Sequence, residues 1–316
     1  MDDLVTGATS SRAERHYSFV EPGACNMCGA DVTTAKTLGL RMDKSQGRNP
    51  RATRGIAVAV CRCGECGLIF ANPQPRPRSI ADHYGIPPET YWKTVKTQAP
   101  PGYFSREIAT AKCLLSFTPG MRALDIGVGL GQAVEVLRAA GFDVWGIEPS
   151  EPFFRKAQQR LGMSEDRLQL AAVETAAFAP ESFDFITFGA VLEHLYDPNA
   201  AIQSAMRWLK PGGVVQAEVP NANHLVARPI NAYYRAIGTS YVTHLSPMHV
   251  PFHLHEFTFA SFEKHAARNG YTVADHWITV ASIYNIPRIF HGPLRWQMRR
   301  SGTGMQLTVF LRKASS

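Results

Sequence analysis

From residue 121 onward, short apolar runs alternate with longer stretches in which apolar side chains return at helical spacing. The runs near 121–126, 143–148, 168–171, 183–188 and 213–219 read as strands, and the stretches near 131–140, 151–161 and 198–210 as helices between them. Apolar runs without a polar partner at every second position mark strands covered on both faces. Strand and helix in strict rotation predict an α/β fold with a parallel sheet and right-handed crossovers, whose ligands bind beyond the carboxyl ends of the strands. A helix near 256–269 and two long strands near 271–282 and 304–312 are expected to close the sheet.

The pattern is weaker elsewhere. Residues 1–20 are polar and aperiodic, which predicts a flexible N-terminus, and residues 21–75 read as a small unit containing the strand Ile56-Ala57-Val58-Ala59-Val60. Asn72-Pro73-Gln74-Pro75-Arg76-Pro77 reads as a stiff, extended linker, because proline fixes φ and restricts the residue before it. Residues 76–118 then read as linker and cap helices, with Tyr84, Tyr91, Trp92, Tyr103 and Phe104 laid over a ligand mouth, and residues 119–316 as the main domain. Within that domain, residues 221–255 break the rotation with a concentration of histidines and tyrosines.

The most telling segment is Ala123-Leu124-Asp125-Ile126-Gly127-Val128-Gly129-Leu130-Gly131-Gln132, an apolar strand tipped by an acid, three glycines at alternate positions and the start of a helix. Glycines so placed allow a tight turn and the close approach of a ligand. The dinucleotide pattern Gly-x-Gly-x-x-Gly sets a helix N-terminus against a pyrophosphate. Here the third glycine comes one residue early, and Asp125 would repel a phosphate while welcoming a cation. That selects S-adenosyl-L-methionine, which carries a sulfonium and an ammonium and no phosphate. Val144-Trp145-Gly146-Ile147-Glu148 reads as the second acid-tipped strand, and Glu148 is the expected acceptor of hydrogen bonds from the ribose hydroxyls.

In order after these come the buried strand Ser182–Phe188 and the helix end, turn and strand of Trp208–Val215. The succession resembles the class I S-adenosylmethionine-dependent methyltransferases over residues 105–220. The resemblance implies a Rossmann-like seven-stranded sheet and a cofactor site made of Asp125, Gly127, Gly129, Gly131, Gln132, Glu148 and Glu193. No acid follows the third strand in Leu170-Ala171-Ala172-Val173-Glu174 to hold the adenine amino group, so the backbone at Ala172 and Val173 is expected there.

Charge and cysteines add a second theme. Net charge is +7, and Lys36, Arg41, Lys44, Arg48, Arg51 and Arg54 face the single acid Asp43 between residues 36 and 54. A second basic stretch carries Arg288, Arg295, Arg299 and Arg300. No apolar run approaches the roughly 18 residues of a membrane span, and the start lacks a signal peptide. A cytoplasmic protein without membrane insertion is expected. Cys25-Asn26-Met27-Cys28-Gly29 and Cys63-Gly64-Glu65-Cys66-Gly67 are paired knuckles, and four thiolates predict a closed, structural zinc (Zn2+) site at Cys25, Cys28, Cys63 and Cys66. Cys61 lies outside the knuckle spacing, and Cys113 is expected in the core.

Two knuckles, then Leu68-Ile69-Phe70-Ala71-Asn72-Pro73, then the methyltransferase core resemble bacterial methyltransferases of sugar and secondary-metabolite pathways. The resemblance implies an acceptor pocket in residues 221–255 and a small or carrier-linked acceptor. Leu245–Phe252 resembles a stretch of the sugar C-methyltransferases that holds a Glu-His pair, with Met248 in place of the Glu. A hydroxyl or acidic-carbon acceptor needs a base, and imidazole titrates in the right range. His249, His194 and His244 are the candidates. His249, His253 and His255 are too irregularly spaced for a second metal site.

The alternative acceptor is RNA, because ribosomal RNA guanine methyltransferases also join a zinc module to this core and segment 36–54 suits phosphate contacts. Against it, Phe188-Gly189-Ala190-Val191-Leu192-Glu193-His194 lacks the Asn/Asp-Pro-Pro-aromatic motif of enzymes that methylate exocyclic amines. A non-catalytic adaptor with a relic cofactor fold is the third reading, and it runs against the intact Asp125, glycines and Glu148. Sequence does not set the oligomeric state.

Overall fold

The computed structural model describes residues 17–42, 56–79, 87–91, 98–247, 252–280, 283 and 287–314. The N-terminal strands are β1 (Tyr17–Val20), β2 (Lys36–Met42), β3 (Ala57–Arg62), β4 (Ile69–Asn72) and β5 (Gln74–Pro77). Helix α1 (Ser105–Leu115) follows, then β6 (Arg122–Ile126), α2 (Gln132–Ala139), β7 (Asp143–Glu148), α3 (Glu151–Leu161), β8 (Leu168–Leu170) and β9 (Phe183–Gly189). The chain continues through α4 (Pro198–Trp208), β10 (Leu209–Pro220), α5 (Ala227–Ala236), β11 (His255–Glu256), α6 (Phe259–Asn269), β12 (Tyr271–Thr279), α7 (His291–Ser301) and β13 (Gln306–Lys313).

Seven strands form one sheet in the order β12-β13-β10-β9-β6-β7-β8. Strands β6 to β10 run parallel, and β13 lies antiparallel between β10 and β12. Neighbouring residues of one strand feed opposite faces: Leu124, Trp145 and Ile186 join one core, while Ala123, Val144 and Phe185 join the other. Burial on both faces explains the uninterrupted apolar runs. Helix α3 opens with Pro152 in its first turn and ends on Gly162 in the left-handed conformation, which is why its limits were readable residue by residue.

The order of strands reverses at β6, between β7 and β9, so the connections leaving β6 and β9 diverge and open a crevice at their carboxyl ends. Phe104 begins α1 in the left-handed region, φ 59°. The helix then packs across the sheet, with the Arg106 guanidinium 3.9 Å from the Trp277 ring centre. Cys113, expected in the core, faces solvent on this helix.

The N-terminal unit is joined to the main domain far more intimately than the expected linker implies. β2, β3 and β4 form an antiparallel sheet whose outer strand is β11, with Phe70 opposite His255 and Ile69 opposite Glu256. Val58, Val60, Ile69 and Ala71 share one core with Val242, Leu245, Phe252 and Leu254 of the expected acceptor insertion. Gly39 permits the closest approach, because a Cβ there would stand 2.4 Å from the Ser240 carbonyl oxygen. The segment expected as linker is strand β5, paired with β1, and Tyr196 Oη donates to the Pro75 carbonyl at 2.9 Å. Tyr17–Val20, expected in a flexible N-terminus, is therefore the partner of that strand. Proline is tolerated here because β1-β5 is a two-stranded ribbon in which alternate amides point outward.

Candidate active site

Two cavities meet over the glycine turn. The first is lined by Glu148, Ser150, Phe153, Ala172, Val173, Val191 and His194 among others, and the second by Asp125, Gln132, Thr187, Tyr103 and Phe104. Gly127, Gly129 and Gly189 border both.

Glu148 ends β7 with its carboxylate held from two sides. Gly129 N donates to Oε2 at 2.8 Å and Ser150 N to Oε1 at 2.9 Å, leaving a second lone pair on each oxygen for a ligand. Burial pushes this carboxyl up to about 7 against the pull of those two amides. Asp125 is likewise pushed up to about 7, by burial first and then by the charge of Glu148. Two buried acids that resist ionisation together make a site that gains from hydroxyl donors and positive charge.

The three glycines do different work. Gly129 has φ +57°, and the nearest atom to a Cβ there is 4.0 Å away, so its open side belongs to the cavity. A Cβ on Gly127 would meet Val191 Cγ2 at 2.6 Å. At Gly131 a Cβ would stand 2.5 Å from Leu161 Cδ1, and Gly131 borders neither cavity. The third glycine lets α2 pack on α3; it does not face the ligand space expected of it. Gln132 does line the second cavity, with its Nε2 donating to the Gln98 carbonyl at 2.9 Å.

The structure separates the expected site residues beyond β9. His194 lines the first cavity, and its Nδ1 lies 2.7 Å from the Phe252 carbonyl oxygen. A carbonyl only accepts, so Nδ1 carries the proton and Nε2 the lone pair. Glu193 is buried and borders neither cavity, although one of its carboxylate oxygens lies within 4.8 Å of ring nitrogens of His194 and His253, and its Oε2 has no hydrogen-bond partner among the described residues. Burial pushes it up to about 8, so it is largely protonated at neutral pH. His253 stands edge-on to His194, ring centres 4.6 Å apart.

His244 belongs to a different cluster. Its Nδ1 is 2.6 Å from Glu256 Oε2, Leu245 N donates to Glu256 Oε1 at 2.8 Å, and the His224 ring is 5.5 Å away. Burial opposes ionisation of Glu256, but His244, His224 and the Leu245 amide outweigh it and hold the carboxyl below its ordinary value. His244 borders neither cavity. His249 lies outside the described residues, as do Lys44, Arg48, Arg51 and Arg54 of the basic segment.

The knuckles bring Cys25, Cys28, Cys63 and Cys66 together, their sulfurs all within 4.8 Å of one another. The Cys25–Cys66 and Cys28–Cys63 sulfurs are each 3.6 Å apart. A tetrahedron with metal–sulfur bonds of about 2.3 Å has edges of about 3.8 Å, so the thiols fit such an ion. Each knuckle closes alike, with the Gly29 and Gly67 amides donating to the Cys25 and Cys63 carbonyls and both glycines at φ 77°. Thr258 Oγ1 donates to the Cys66 carbonyl at 2.6 Å and Asn26 Nδ2 to the Tyr196 carbonyl at 3.0 Å, pinning the knuckles to the main domain.

Thr187, Ser150, Phe153 and Val191 were not expected at the cavities. They stand at or just beyond strand ends, and only the position at that edge signalled them.

A sheet of this order with an acid-tipped glycine turn at its switch point is the fold of the class I S-adenosylmethionine-dependent methyltransferases. The chain belongs to the methyltransferase-domain family, whose model matches residues 102–276. It is 33% identical over 131 residues to the ubiquinone biosynthesis O-methyltransferase of Pseudomonas syringae pv. tomato, covering 40% of this chain and 54% of that protein. The corresponding protein of Stutzerimonas stutzeri is 35% identical over 131 residues, with the same coverage of 40% and 54%. The chain thus spans about half the length of the curated relatives it matches. Among solved structures, a methyltransferase from Mesorhizobium loti superposes with a TM-score of 0.45 at 16% identity, covering 65% of this chain and 96% of that one. No helix among the described residues is long and apolar enough to cross a membrane.

Proposed function

We propose that this methyltransferase acts on a hydroxyl of a small or carrier-linked metabolite, with His194 as the general base. The observation that carries the reading is the pair of buried acids, Glu148 and Asp125, facing two cavities that join at Gly127 and Gly129. In this reading Glu148 accepts the ribose hydroxyls, Ala172 and Val173 border the adenine in an apolar slot, and Asp125 faces the cationic end. S-adenosylmethionine supplies an electrophilic methyl group on a sulfonium. The chain's part is to align the acceptor for in-line attack and to take the hydroxyl proton on Nε2 of His194, a nitrogen left basic by the Nδ1–Phe252 hydrogen bond. The O-methyltransferase relatives support an oxygen acceptor over a carbon one.

In the same reading Cys25, Cys28, Cys63 and Cys66 hold one structural zinc. Four protein ligands leave no position for water, so the ion shapes the acceptor side without entering the chemistry.

The test uses the full chain, methyl-labelled S-adenosylmethionine and a soluble metabolite extract, followed by mass and carbon-13 analysis of the labelled product. Label on oxygen, lost by roughly two orders of magnitude in His194→Asn while cofactor affinity persists, is the expected outcome. Label on nitrogen or carbon, or an unimpaired His194→Asn enzyme, would refute it.

A further inference from the structure

Helix α7 presents three stripes. Leu294 and Met298 pack inward with Val226 and Ile283. At about 100° per residue, Pro293, Trp296 and Arg300 project opposite to them, and Arg295 and Arg299 run along one flank. Trp296 is 61% exposed, and the turn leading into the helix adds Ile289 at 79% and Phe290 at 52%. Three large apolar side chains exposed within eight residues call for a partner. Its chemistry is restricted, because Arg288, Arg295, Arg299 and Arg300 surround the patch and no Asp or Glu occurs anywhere after Asp275.

Position adds to this. Gln306 lies opposite both Pro220 of β10 and Thr279 of β12, so the excursion that carries α7 leaves the sheet at the carboxyl end of β10. That edge also holds Gly127, Gly189 and both cavities. A second copy of the chain is a poor occupant, since a two-fold contact through this patch would oppose arginine to arginine. Nucleic acid would use the arginines and leave Ile289 and Trp296 idle. A bilayer surface rich in anionic lipid uses both sets: apolar side chains enter the acyl boundary and guanidinium groups meet the headgroup phosphates.

We propose that α7 and the turn before it dock this enzyme on an anionic lipid surface, with the catalytic edge turned toward it. The proposal rests on α7 and not on the reading of the acceptor, because its test measures binding without turnover. The full chain is sedimented with vesicles of phosphatidylcholine, with and without phosphatidylglycerol. Binding only to the anionic vesicles, weakening steeply with salt, is expected. Arg295→Gln with Arg299→Gln lowers vesicle affinity by about twenty-fold or more, and Trp296→Ser lowers it as well, while S-adenosylmethionine affinity and melting temperature stay put. Failure to bind anionic vesicles, or equal binding by these variants, overturns the proposal. So does a self-association that Trp296→Ser dissolves, or RNA binding that the arginine variants abolish in the absence of lipid binding.

Discussion

The strands that carry the glycine turn and the unit that carries the cysteine knuckles are built by different means. From β6 to β7 the groups that border the cavities, Asp125, Gly129 and Glu148, sit at or just beyond the ends of two adjacent strands, where the Gly129 and Ser150 amides hold Glu148. The N-terminal unit is assembled across distance: β4 takes β11 as its partner, and the knuckles are pinned through Asn26 and Thr258. Local periodicity therefore dictates β6 to β8. The N-terminal unit is placed by which apolar faces remain to be covered once those strands exist.

The sharpest way to break this comparison is to strip the thiol site. Metal binding in such sites is worth on the order of 10 kcal/mol of folding free energy, so chelation or Cys66→Ser is expected to release β2–β4 and, through β11 and the shared core, to loosen residues 240–247. Hydrogen exchange should show lost protection there and retained protection in β6 and β7, with S-adenosylmethionine still bound. Simultaneous melting of both regions would end the distinction.

Next in size are changes at the glycine turn. Glu148→Ala and Gly129→Val are each expected to weaken cofactor binding by roughly two orders of magnitude or more, read by calorimetry on folded protein. Gly131→Ala is the contrast: it should lower the melting temperature through collision with Leu161, while the folded fraction binds normally.

His244→Asn tests whether the Glu256 cluster is scaffold or chemistry. Removing the partner of a buried carboxylate should cost about 2–3 kcal/mol of stability with little loss of turnover per folded molecule. Denaturant unfolding and initial rates, measured together, separate the two; a rate loss at full stability would move the base from His194 to His244.

The smallest effect is a pH dependence. Asp125, Glu148 and Glu193 have folded values raised to about 7, 7 and 8, above the unfolded values of 3.8 and 4.5. Between pH 6.5 and 8.5 the folded protein holds protons that the unfolded chain has lost, so ligand-free stability falls as pH rises. Buried histidines such as His255 and His265, lowered to about 4, act with the opposite sign but below that window. Thermal melts across it should decline, and Glu193→Gln should remove the upper part of the decline without altering cofactor affinity. A changed affinity would return Glu193 to the cofactor site.

Legibility in the sequence followed the same divide. The limits of β7 and α3 were readable because acid tip, proline and terminal glycine mark them locally. Gly131 was expected beside the ligand and stands against Leu161, because a glycine that admits a ligand and one that admits a leucine look alike in sequence. The strand character of Gln74–Pro77 was hidden because its partner, Tyr17–Val20, lies across two knuckles and carries no periodic signal. His194 and Glu193 are adjacent in sequence, yet only His194 borders a cavity, a difference that depends on β11 and the chain before it, where the Leu254 amide donates to the Glu193 carbonyl and the Phe252 carbonyl meets His194 Nδ1.

The pairing of β4 with β11 also bears on biogenesis. A ribosome delivers Phe70 long before His255, so the thiol knuckles and one open strand edge emerge while their lasting neighbours are unmade. On the proposed reading of the four cysteines, ion capture in that interval orders the nascent segment before its lasting partners exist.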